Sequence, residues 1–336
     1  MKVSDVDTNA KTLILNGGKH GSINYTHLVL ATGGAPRSIS SPGSDLANIL
    51  YLRSPQDANA IAEGSKGKKV VIVGSSFIGT EVAAFLSDKA ESVTIIGRTK
   101  YPLERNLGSE VGELVQSMHK AKGVRFVGSA NVLGFKGQDG RVASVMIDDR
   151  EESIPADLVV VGIGCIPATQ FLLESGVQLD SQGYVEVNQH LETNVENVYA
   201  VGDIAKFPLS IHQESPRVAI GHWQIAQSHG RLAGLNIGQE TKELVRTVPF
   251  FWTVQYGKSF RYSGYCPSWD DIVYDGQVSS GSFVAYYCKE DCVQAVATLG
   301  KDPIAAEFAN LLMSGKSLGK KDAVAGLWRQ SLSTLT

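Results

Sequence analysis

The sequence predicts an α/β protein of two or three domains, and three observations support this prediction. Residues 70–86, VVIVGSSFIGTEVAAFL, pass from β-favouring apolar residues through a glycine turn into an apolar helical pattern. Two other apolar strands, at 28–31 and 157–164, also end in glycine turns. From residue 248 onward, aromatic-rich strands followed by one helix are typical of a separate α+β domain. A chain of 336 residues exceeds what one hydrophobic core usually contains.

Composition and charge exclude several classes of function. Apolar residues make up 43% and charged residues 19% of the chain, with a net charge of -3, so neither nucleic acid nor an anionic membrane is an expected partner. The longest apolar run, near 158–167, is too short to span a bilayer, and the N-terminus resembles neither a signal peptide nor a transit peptide. Four cysteines without a C-x-x-C pair or a completing set of histidines argue against dithiol chemistry and against a metal site.

The elements predicted before residue 46 are strands and turns. Residues 11–37 predict a strand, a glycine-rich hairpin turn and a second strand at 28–31 that ends in a glycine turn and Pro36. The segment SISSPGSD at 38–45 is rich in serine, proline and glycine, which indicates a domain boundary.

The next segment predicts alternating strands and helices. A strand at 69–73 leads into a helix at about 78–88 and a strand at 92–97. A second helix is expected within 108–123, where apolar residues recur on one face, with Ser109 as N-cap and Gly123 as C-cap. Further strands are predicted at 124–128, 130–136, 141–148 and 157–164, with a QDG hairpin turn at 138–140.

The last third of the chain changes character. TNVENVYAVGD at 193–203 predicts a strand ending in a glycine turn, and 221–237 predicts a helix. The residues expected on the inner face of that helix are Ile225, Ala226, Leu232 and Ala233. Strands are predicted at 250–256, 260–265, 272–276, 282–288 and 293–299, before a helix at 303–314.

The turn from Gly74 to Gly79 follows the G-x-G-x-x-G layout of a Rossmann-like dinucleotide site, with one substitution. In that layout the first glycine makes the tight turn, the second admits the pyrophosphate, and the third lets the helix pack on the strand. Ser76 stands at the second position, where it costs space but can donate a hydrogen bond to phosphate. We expect Gly74, Ser75, Ser76, Phe77, Ile78 and Gly79 to bind a nicotinamide dinucleotide.

The end of the strand predicted at 92–97 bears on the choice of nicotinamide cofactor. NAD-binding turns usually place an acidic residue there for the ribose 2′-hydroxyl. Here Gly97 occupies that position and Arg98 follows, and an arginine suits a 2′-phosphate. The alternative is a solvated surface arginine. We expect tolerance of both cofactors with a preference for NADPH.

A second nucleotide is indicated by the segment that ends at residue 203. Gly202 allows close approach of a ligand to the backbone, and Asp203 can accept a hydrogen bond from a sugar hydroxyl. The alternative for Asp203 is a capping residue at the end of a strand. The segments ATGGAPR at 31–37 and GCIPAT at 164–169 are two further places where a predicted strand leads into glycine and then proline.

These segments together resemble the FAD- and NAD(P)H-dependent pyridine nucleotide oxidoreductases. Within that superfamily the motifs ATGGAPR, GSSFIGTEVAA, YAVGD, GHWQIAQSHGRLAGLNI and VPFFWTVQYGKSFRYSGY are most similar to the apoptosis-inducing-factor-like, Rieske-linked branch. The resemblance covers nearly the whole chain. One departure is Ala168, where the family often has asparagine.

The resemblance implies roles for individual residues. Arg37 would contact FAD, Asp203 its ribityl chain, and His222 and Trp223 the edge of the flavin. Trp252 would stack by the flavin–nicotinamide site, while Glu81 would accept a hydrogen bond from the nicotinamide carboxamide and Gly164 would line the same cleft. The alternatives are core positions for Trp223 and Trp252, a helix cap for His222 and a solvated first-turn position for Glu81.

The resemblance also implies an architecture. A Rossmann-like NAD(P)-binding domain at 46–158 would be inserted in an FAD-binding Rossmann-like domain at 1–45 and 159–246. A C-terminal α+β domain at 247–336 would serve reduction or dimerisation. In the family a first glycine-rich loop precedes the ATG strand, so we expect the first half of the FAD domain, and any N-terminal iron–sulfur module, to be missing from this chain.

The implied function is an FAD-dependent NAD(P)H oxidoreductase that passes hydride from nicotinamide to flavin. Electrons would then reach a Rieske or ferredoxin-type iron–sulfur centre, with no general base or nucleophile and no metal ligands from this chain. A homodimer and a mitochondrial or cytoplasmic location are expected. The alternatives are a non-catalytic NAD(P)H-binding interaction or cell-death protein and an unstable fragment.

Overall fold

The N-terminal region consists of short strands. The computed structural model describes residues 2–148, 153–211, 215–326 and 328, so the outer limits of the predicted domains at 1 and 336 lie outside the described residues. The first three strands form an antiparallel sheet, and the fourth confirms the predicted apolar strand. Strands here are β1 Val3–Asp7, β2 Thr12–Leu15, β3 Ser22–Asn24, β4 Leu28–Leu30, β5 Gly34–Pro36 and β6 Ile49–Tyr51.

The central region is a parallel sheet flanked by helices, as predicted. Its strands are continuous apolar runs because helices and a small sheet cover both faces. Its elements are α1 Pro55–Gly64, β7 Lys69–Val73, α2 Phe77–Leu86, β8 Ser92–Ile96, α3 Glu104–Leu107, α4 Ser109–Lys120, β9 Arg125–Val127, β10 Val132–Gln138, β11 Arg141–Ile147, β12 Ile154–Pro155 and β13 Leu158–Val161.

The pairing of the central strands shows how far this unit extends. The parallel sheet has the order β6-β13-β7-β8-β9, and β10, β11 and β12 form an antiparallel sheet over one face. Strand β13 pairs in parallel with both β6 and β7, so it belongs to the same nucleotide unit as the glycine turn after β7. The predicted caps of α4 were wrong: the N-cap is Gly108 and the C-cap is Ala121.

The segment after β13 returns to the N-terminal strands. Strand β14 pairs with β5, so the two predicted glycine–proline crossings lie side by side. Strand β16 pairs in parallel with β4, and α5 packs over the turn after β16. The predicted inner face of α5 needs one correction, because Ala226 is half-buried while His229 is fully buried. These elements are β14 Cys165–Pro167, β15 Val185–Glu186, β16 Val198–Ala200, β17 Ala205–Pro208, β18 Arg217–Val218 and α5 Trp223–Asn236.

The C-terminal region is an antiparallel sheet with helices on one face. The predicted strands and helix are confirmed, and the sheet has the order β19-β20-β23-β22-β21, with β24 beside β23. One face packs on α6, and the other contacts the central region through α3 and α4. The elements are β19 Phe250–Gln255, β20 Lys258–Gly264, β21 Asp271–Gln277, β22 Ser282–Lys289, β23 Cys292–Leu299, α6 Ile304–Met313, β24 Leu318–Gly319 and α7 Lys320–Ala325.

Candidate functional site

The turn between β7 and α2 requires glycine at both of its ends. Gly74 has φ +118°, and a Cβ atom there would lie 2.1 Å from the carbonyl oxygen of Gly162. A Cβ atom at Gly79 would lie 2.0 Å from the carbonyl oxygen of Gly74, so only glycine lets α2 pack this closely on the turn. The tight turn and the close helix–strand contact expected of these two glycines are therefore present.

The residues between the two glycines present backbone to solvent at the start of α2. Ser76 is the N-cap residue, and its hydroxyl donates to Asn106 Oδ1 at 3.2 Å rather than capping the helix. The N–H groups of Phe77, Ile78 and Gly79 belong to the first turn, which has no intrahelical acceptors. Phe77 also faces a cleft, whereas Ile78 is exposed.

Gly97 and Arg98 end β8 beside this turn. A Cβ atom at Gly97 would lie 2.4 Å from Ser75 Oγ and 2.7 Å from Ser75 Cβ. An acidic side chain at position 97 would therefore displace Ser75. Arg98 is exposed, and no described residue forms an ion pair with it.

Asp203 follows β16 and lies beside an arginine that the sequence analysis missed. Arg53 Nη2 is 3.8 Å from Asp203 Oδ2, with both side chains partly exposed. The same guanidinium lies against Gly33, where a Cβ atom would approach Nη2 to 2.7 Å. No local pattern marks Arg53, because its partners are remote in the sequence.

The crossing strands place Arg37 and Gly164 together. The backbone N–H of Arg37 donates to the carbonyl oxygen of Gly164 at 2.8 Å, and the Arg37 side chain is exposed. Gly164 has φ +102°, and no atom lies within 4 Å of the position a Cβ would take. The backbone at Gly164 is therefore open to a ligand.

His222 and Trp223 begin α5. His222 is the N-cap residue and its Nδ1 accepts from the N–H of Gln224 at 3.4 Å, so the expected alternative of a helix cap is present. Burial lowers the pKa of His222, and the nearby Asp203 carboxylate opposes that shift. Trp223 is 75% exposed and Trp252 is 56% exposed, so the alternative of core aromatics is wrong for both.

One cavity brings together predicted residues from three regions of the chain. It has a volume of about 720 Å³ and lies between α2, the start of α5 and strand β19. Phe77 and Glu81 contribute from the nucleotide unit, His222 from α5 and Trp252 from the C-terminal sheet. The other predicted site residues do not line it: Arg37, Gly74, Ser75, Ser76, Ile78, Gly79, Arg98, Gly164, Gly202, Asp203 and Trp223.

The C-terminal sheet also contributes polar contacts that the sequence analysis missed. The buried hydroxyl of Thr253 donates to Glu81 Oε1 at 2.5 Å. Gln255 Nε2 donates to Thr80 Oγ1 at 2.8 Å, and Gln255 Oε1 lies 3.2 Å from His119 Nε2. Both residues alternate with Trp252 along β19, so period-2 reasoning could have placed them on the face opposite Trp252.

A second buried histidine supports the turn at Asp203. His229 Nδ1 accepts from the N–H of Gly202 at 3.4 Å, and Nε2 has no hydrogen-bond partner among the described residues. Its ring stands edge-on to Phe207 at 4.4 Å between centroids. Burial lowers the pKa of His229 to about 4, so the ring is neutral. Its spacing of four residues from Ile225 could have indicated the buried face.

Within the described ranges, no group of three histidine, cysteine or acidic residues is arranged to hold a metal ion. Within the same ranges, no helix is long and apolar enough to cross a membrane.

Comparisons with known proteins identify the class of protein. Residues 1–230 match the family described as pyridine nucleotide-disulphide oxidoreductase, and residues 250–326 match the reductase C-terminal family. The chain belongs to the pyridine nucleotide-disulphide oxidoreductase family, which confirms the predicted resemblance and fold class.

Particular relatives refine this assignment. The chain is 38% identical to apoptosis-inducing factor 3 of Homo sapiens over 96% of this chain and 52% of that protein. It is 31% identical to a ferredoxin–NAD(P)(+) reductase of Sphingomonas sp. over 87% of this chain and 71% of the relative. The chain thus spans about half the length of the first of these.

Solved structures of ferredoxin reductases share the fold. The ferredoxin reductase for the CYP199A2 system of Rhodopseudomonas palustris superposes with a TM-score of 0.88 at 25% identity, covering 96% of this chain and 78% of that chain. The reductase of the putidaredoxin reductase–putidaredoxin complex superposes with a TM-score of 0.86 at 27% identity, covering 97% and 80%.

Proposed function

We propose that this chain is an FAD-dependent NAD(P)H oxidoreductase that delivers electrons to an iron–sulfur protein. The observation that supports this most is the single cavity in which Glu81 of the nucleotide unit meets His222 and Trp252. When bound, a reduced nicotinamide supplies a hydride to flavin, and reduced flavin supplies electrons to an acceptor. The residues of the chain bind, orient and shield these groups.

The first turn of α2 fits the pyrophosphate of a nicotinamide dinucleotide. Three backbone N–H groups, of Phe77, Ile78 and Gly79, are free of intrahelical acceptors there, and the helix dipole adds positive character. Glycine at 74 allows the turn that leads to them, because a Cβ atom there would lie 2.1 Å from the carbonyl oxygen of Gly162. Ser76 is exposed at the rim, and its hydroxyl would donate to a phosphate oxygen in exchange for its present acceptor, Asn106 Oδ1.

The surroundings of Asp203 fit a flavin nucleotide. Asp203 supplies a carboxylate acceptor suited to polyol hydroxyls, and Arg53 supplies a cation suited to phosphate. The open backbone at Gly164 and the exposed Arg37 lie at the neighbouring crossing of the two strands. These residues would hold FAD with its ring toward His222.

Within the cavity, three side chains have distinct tasks. Trp252 covers one side with an apolar face, which excludes water and suits a stacked ring. Glu81 offers a carboxylate acceptor for an amide donor such as a carboxamide. His222, whose pKa is lowered by burial, is neutral and adds no charge beside a flavin.

The contact between Gly97 and Ser75 favours NADPH over NADH. An acidic residue at position 97, which would bind the 2′-hydroxyl of NADH, is sterically excluded by Ser75. The neighbouring Arg98 is exposed and free to pair with a 2′-phosphate. We propose that both cofactors bind and that NADPH binds more tightly.

The remaining features of this proposal come from the family. A Rieske or ferredoxin-type centre is the proposed acceptor, in keeping with relatives that are ferredoxin reductases and with a solved reductase–putidaredoxin complex. A homodimer, a mitochondrial or cytoplasmic location and the domain limits at 45, 158 and 246 also stay proposals.

The test is reconstitution of the purified chain with FAD, followed by anaerobic titration with NADPH and NADH. A flavin spectrum that is bleached by either nucleotide supports the oxidoreductase. A colourless, folded protein that binds NADPH would contradict it and favour the non-catalytic binding protein. Free FAD under the same conditions is the control, because it measures reduction that the protein does not assist.

A further inference from the structure

We propose that Thr253 and Gln255 of the C-terminal sheet are positioning residues for nucleotide binding, acting through Glu81 and the first turn of α2. This inference rests on the proposed function, because it assigns a task at the same site. It assigns that task to residues outside the nucleotide unit itself.

Thr253 of β19 forms a hydrogen bond with Glu81 of α2. Thr253 is 2% exposed, so its hydroxyl cannot exchange this partner for water, and it donates to Glu81 Oε1 at 2.5 Å. Glu81 is exposed and, among the described residues, accepts no other hydrogen bond from a side chain. One carboxylate oxygen is therefore fixed and the other is left for a donor in the cavity. A glutamate held in one rotamer loses less conformational entropy when it binds a ligand.

A series of hydrogen bonds also connects the tip of the β19–β20 hairpin with α2, and the donor and acceptor of each bond can be assigned. Gln255 Nε2 donates to Thr80 Oγ1, so Gln255 Oε1 faces His119 and must accept from its Nε2–H. His119 Nδ1 then accepts from the Tyr256 hydroxyl at 2.8 Å. This tautomer requires a neutral ring, and burial of His119 lowers its pKa to about 4.

This series of hydrogen bonds ends on backbone carbonyl groups at the start of α2. Thr80 is fully buried, and its hydroxyl lies 3.1 Å from the carbonyl oxygen of Ser76 and 3.0 Å from that of Phe77. Phe251 adds an apolar contact, edge-on to Phe77 at 4.7 Å between centroids. Alternate residues of β19 thus hold α2 at Phe77, Thr80 and Glu81. These three residues lie within the first five residues of α2, the part of the helix that carries the N–H groups proposed to bind pyrophosphate.

The two contacts predict different consequences when they are removed. Thr253→Val keeps the shape of a buried side chain and frees a carboxylate that water can reach, so stability should hardly change. Nucleotide affinity should fall, because Glu81 is no longer oriented. Gln255→Leu removes two buried hydrogen bonds and leaves the Nε2–H group of His119 without its acceptor and Thr80 Oγ1 without its donor, so both stability and affinity should fall.

The test compares NADPH dissociation constants by the change in nucleotide fluorescence on binding, with thermal unfolding measured for every variant. Thr253→Val is expected to weaken binding about tenfold with an unchanged unfolding midpoint, and Thr253→Ser, which restores the hydroxyl, is expected to recover most of the affinity. Thr298→Val is the matched control, since Thr298 is equally buried in the same sheet and its hydroxyl has no described partner.

Three outcomes separate this inference from the function on which it rests. Equal affinity of wild type and Thr253→Val would overturn the inference and leave the proposed function standing. Equal losses in Thr253→Val and Thr298→Val would also overturn it, because the effect would then be a general property of the sheet. A wild-type chain that binds neither NADPH nor NADH would overturn both.

Discussion

The dinucleotide turn and the turn at Asp203 are both glycine turns after parallel strands, but they are held in different ways. The turn at 74–79 belongs to a five-stranded sheet, and its geometry depends on backbone atoms in van der Waals contact. The turn at Asp203 lies at the end of a sheet with two strands among the described residues, and its contacts are an ion pair and a long hydrogen bond. The first site should therefore be sensitive to added volume and the second to altered charge.

The largest expected effect is that of a methyl group in the dinucleotide turn. Gly79→Ala places Cβ against the carbonyl oxygen of Gly74, so α2 must move away from β7. We expect a loss of about 3 kcal/mol in the free energy of unfolding and loss of measurable NADPH binding. Denaturant unfolding and nucleotide fluorescence check these two results.

The control is a second helical glycine that has free space around it. Gly234 lies in α5, and no atom is within 4 Å of the position its Cβ would take. Gly234→Ala should raise the free energy of unfolding by about 0.5–1 kcal/mol, because alanine favours the helix. If both variants had the same stability, the steric account of the turn would be wrong.

The next effect is a dependence of stability on pH that arises from one buried histidine in each region. His119 lies on the α2 side and His229 on the Asp203 side, and burial lowers the pKa of each from 6.5 to about 4. The unfolded chain therefore binds more protons between these values. Stability is fully present above pH 6.5 and falls as the pH drops toward 4, by about 3 kcal/mol for each histidine.

Denaturant midpoints measured between pH 7 and pH 4 for wild type, His119→Gln and His229→Gln test this dependence. Each variant should lose part of the slope, because a titrating group has been removed. An unchanged slope in both variants would show that carboxylates alone cause the acid sensitivity.

A smaller effect is expected for the charge at Asp203. Asp203→Asn removes a carboxylate acceptor whose partner Arg53 is half-exposed, so the free energy of unfolding should change by less than about 1 kcal/mol. FAD affinity should fall about 10- to 100-fold, because a charge-assisted hydrogen bond is lost. Flavin fluorescence titration measures it, with Glu63→Gln on the surface of α1 as the control. A large loss of stability without a loss of FAD affinity would show that the Asp203 carboxylate serves folding and not FAD binding.

The smallest effect is expected at the rim of the dinucleotide turn. Arg98→Glu should lower the NADPH to NADH affinity ratio about tenfold, because the arginine is solvated and its charge is screened. The ratio of the two dissociation constants is the measurement. An unchanged ratio would mean that Arg98 takes no part in the choice of cofactor.

The difference between local signals and contacts between distant residues explains how much of the structure could be predicted from the sequence. The strands and helices from Lys69 to Ile96 follow from apolar runs and glycine spacing, which are local signals. Arg53 beside Asp203, and Thr253 beside Glu81, join residues from distant parts of the chain, and no local pattern specifies such pairs. The cavity itself could be expected only from the family resemblance, since three regions of the chain form it.

The N-cap of α4 and the burial of His229 show a second limit of prediction from sequence. Ser109 has the residue type of an N-cap, yet the helix begins one residue earlier because Gly108, with φ +87°, makes the turn from α3 into α4. His229 has the residue type of a polar surface position, but its helical spacing places it inward on Phe207. Tertiary packing therefore decided both positions against residue preference.

The most direct measurement for the central claim is a crystal structure of the chain with FAD and NADP⁺ bound. We expect the nicotinamide ring between Glu81 and Trp252, the pyrophosphate on the N–H groups of Phe77 to Gly79, and the flavin ring reaching the same cavity past Asp203 and His222. A nicotinamide bound outside the cavity lined by Glu81 and Trp252, or a flavin that does not approach it, would contradict the account.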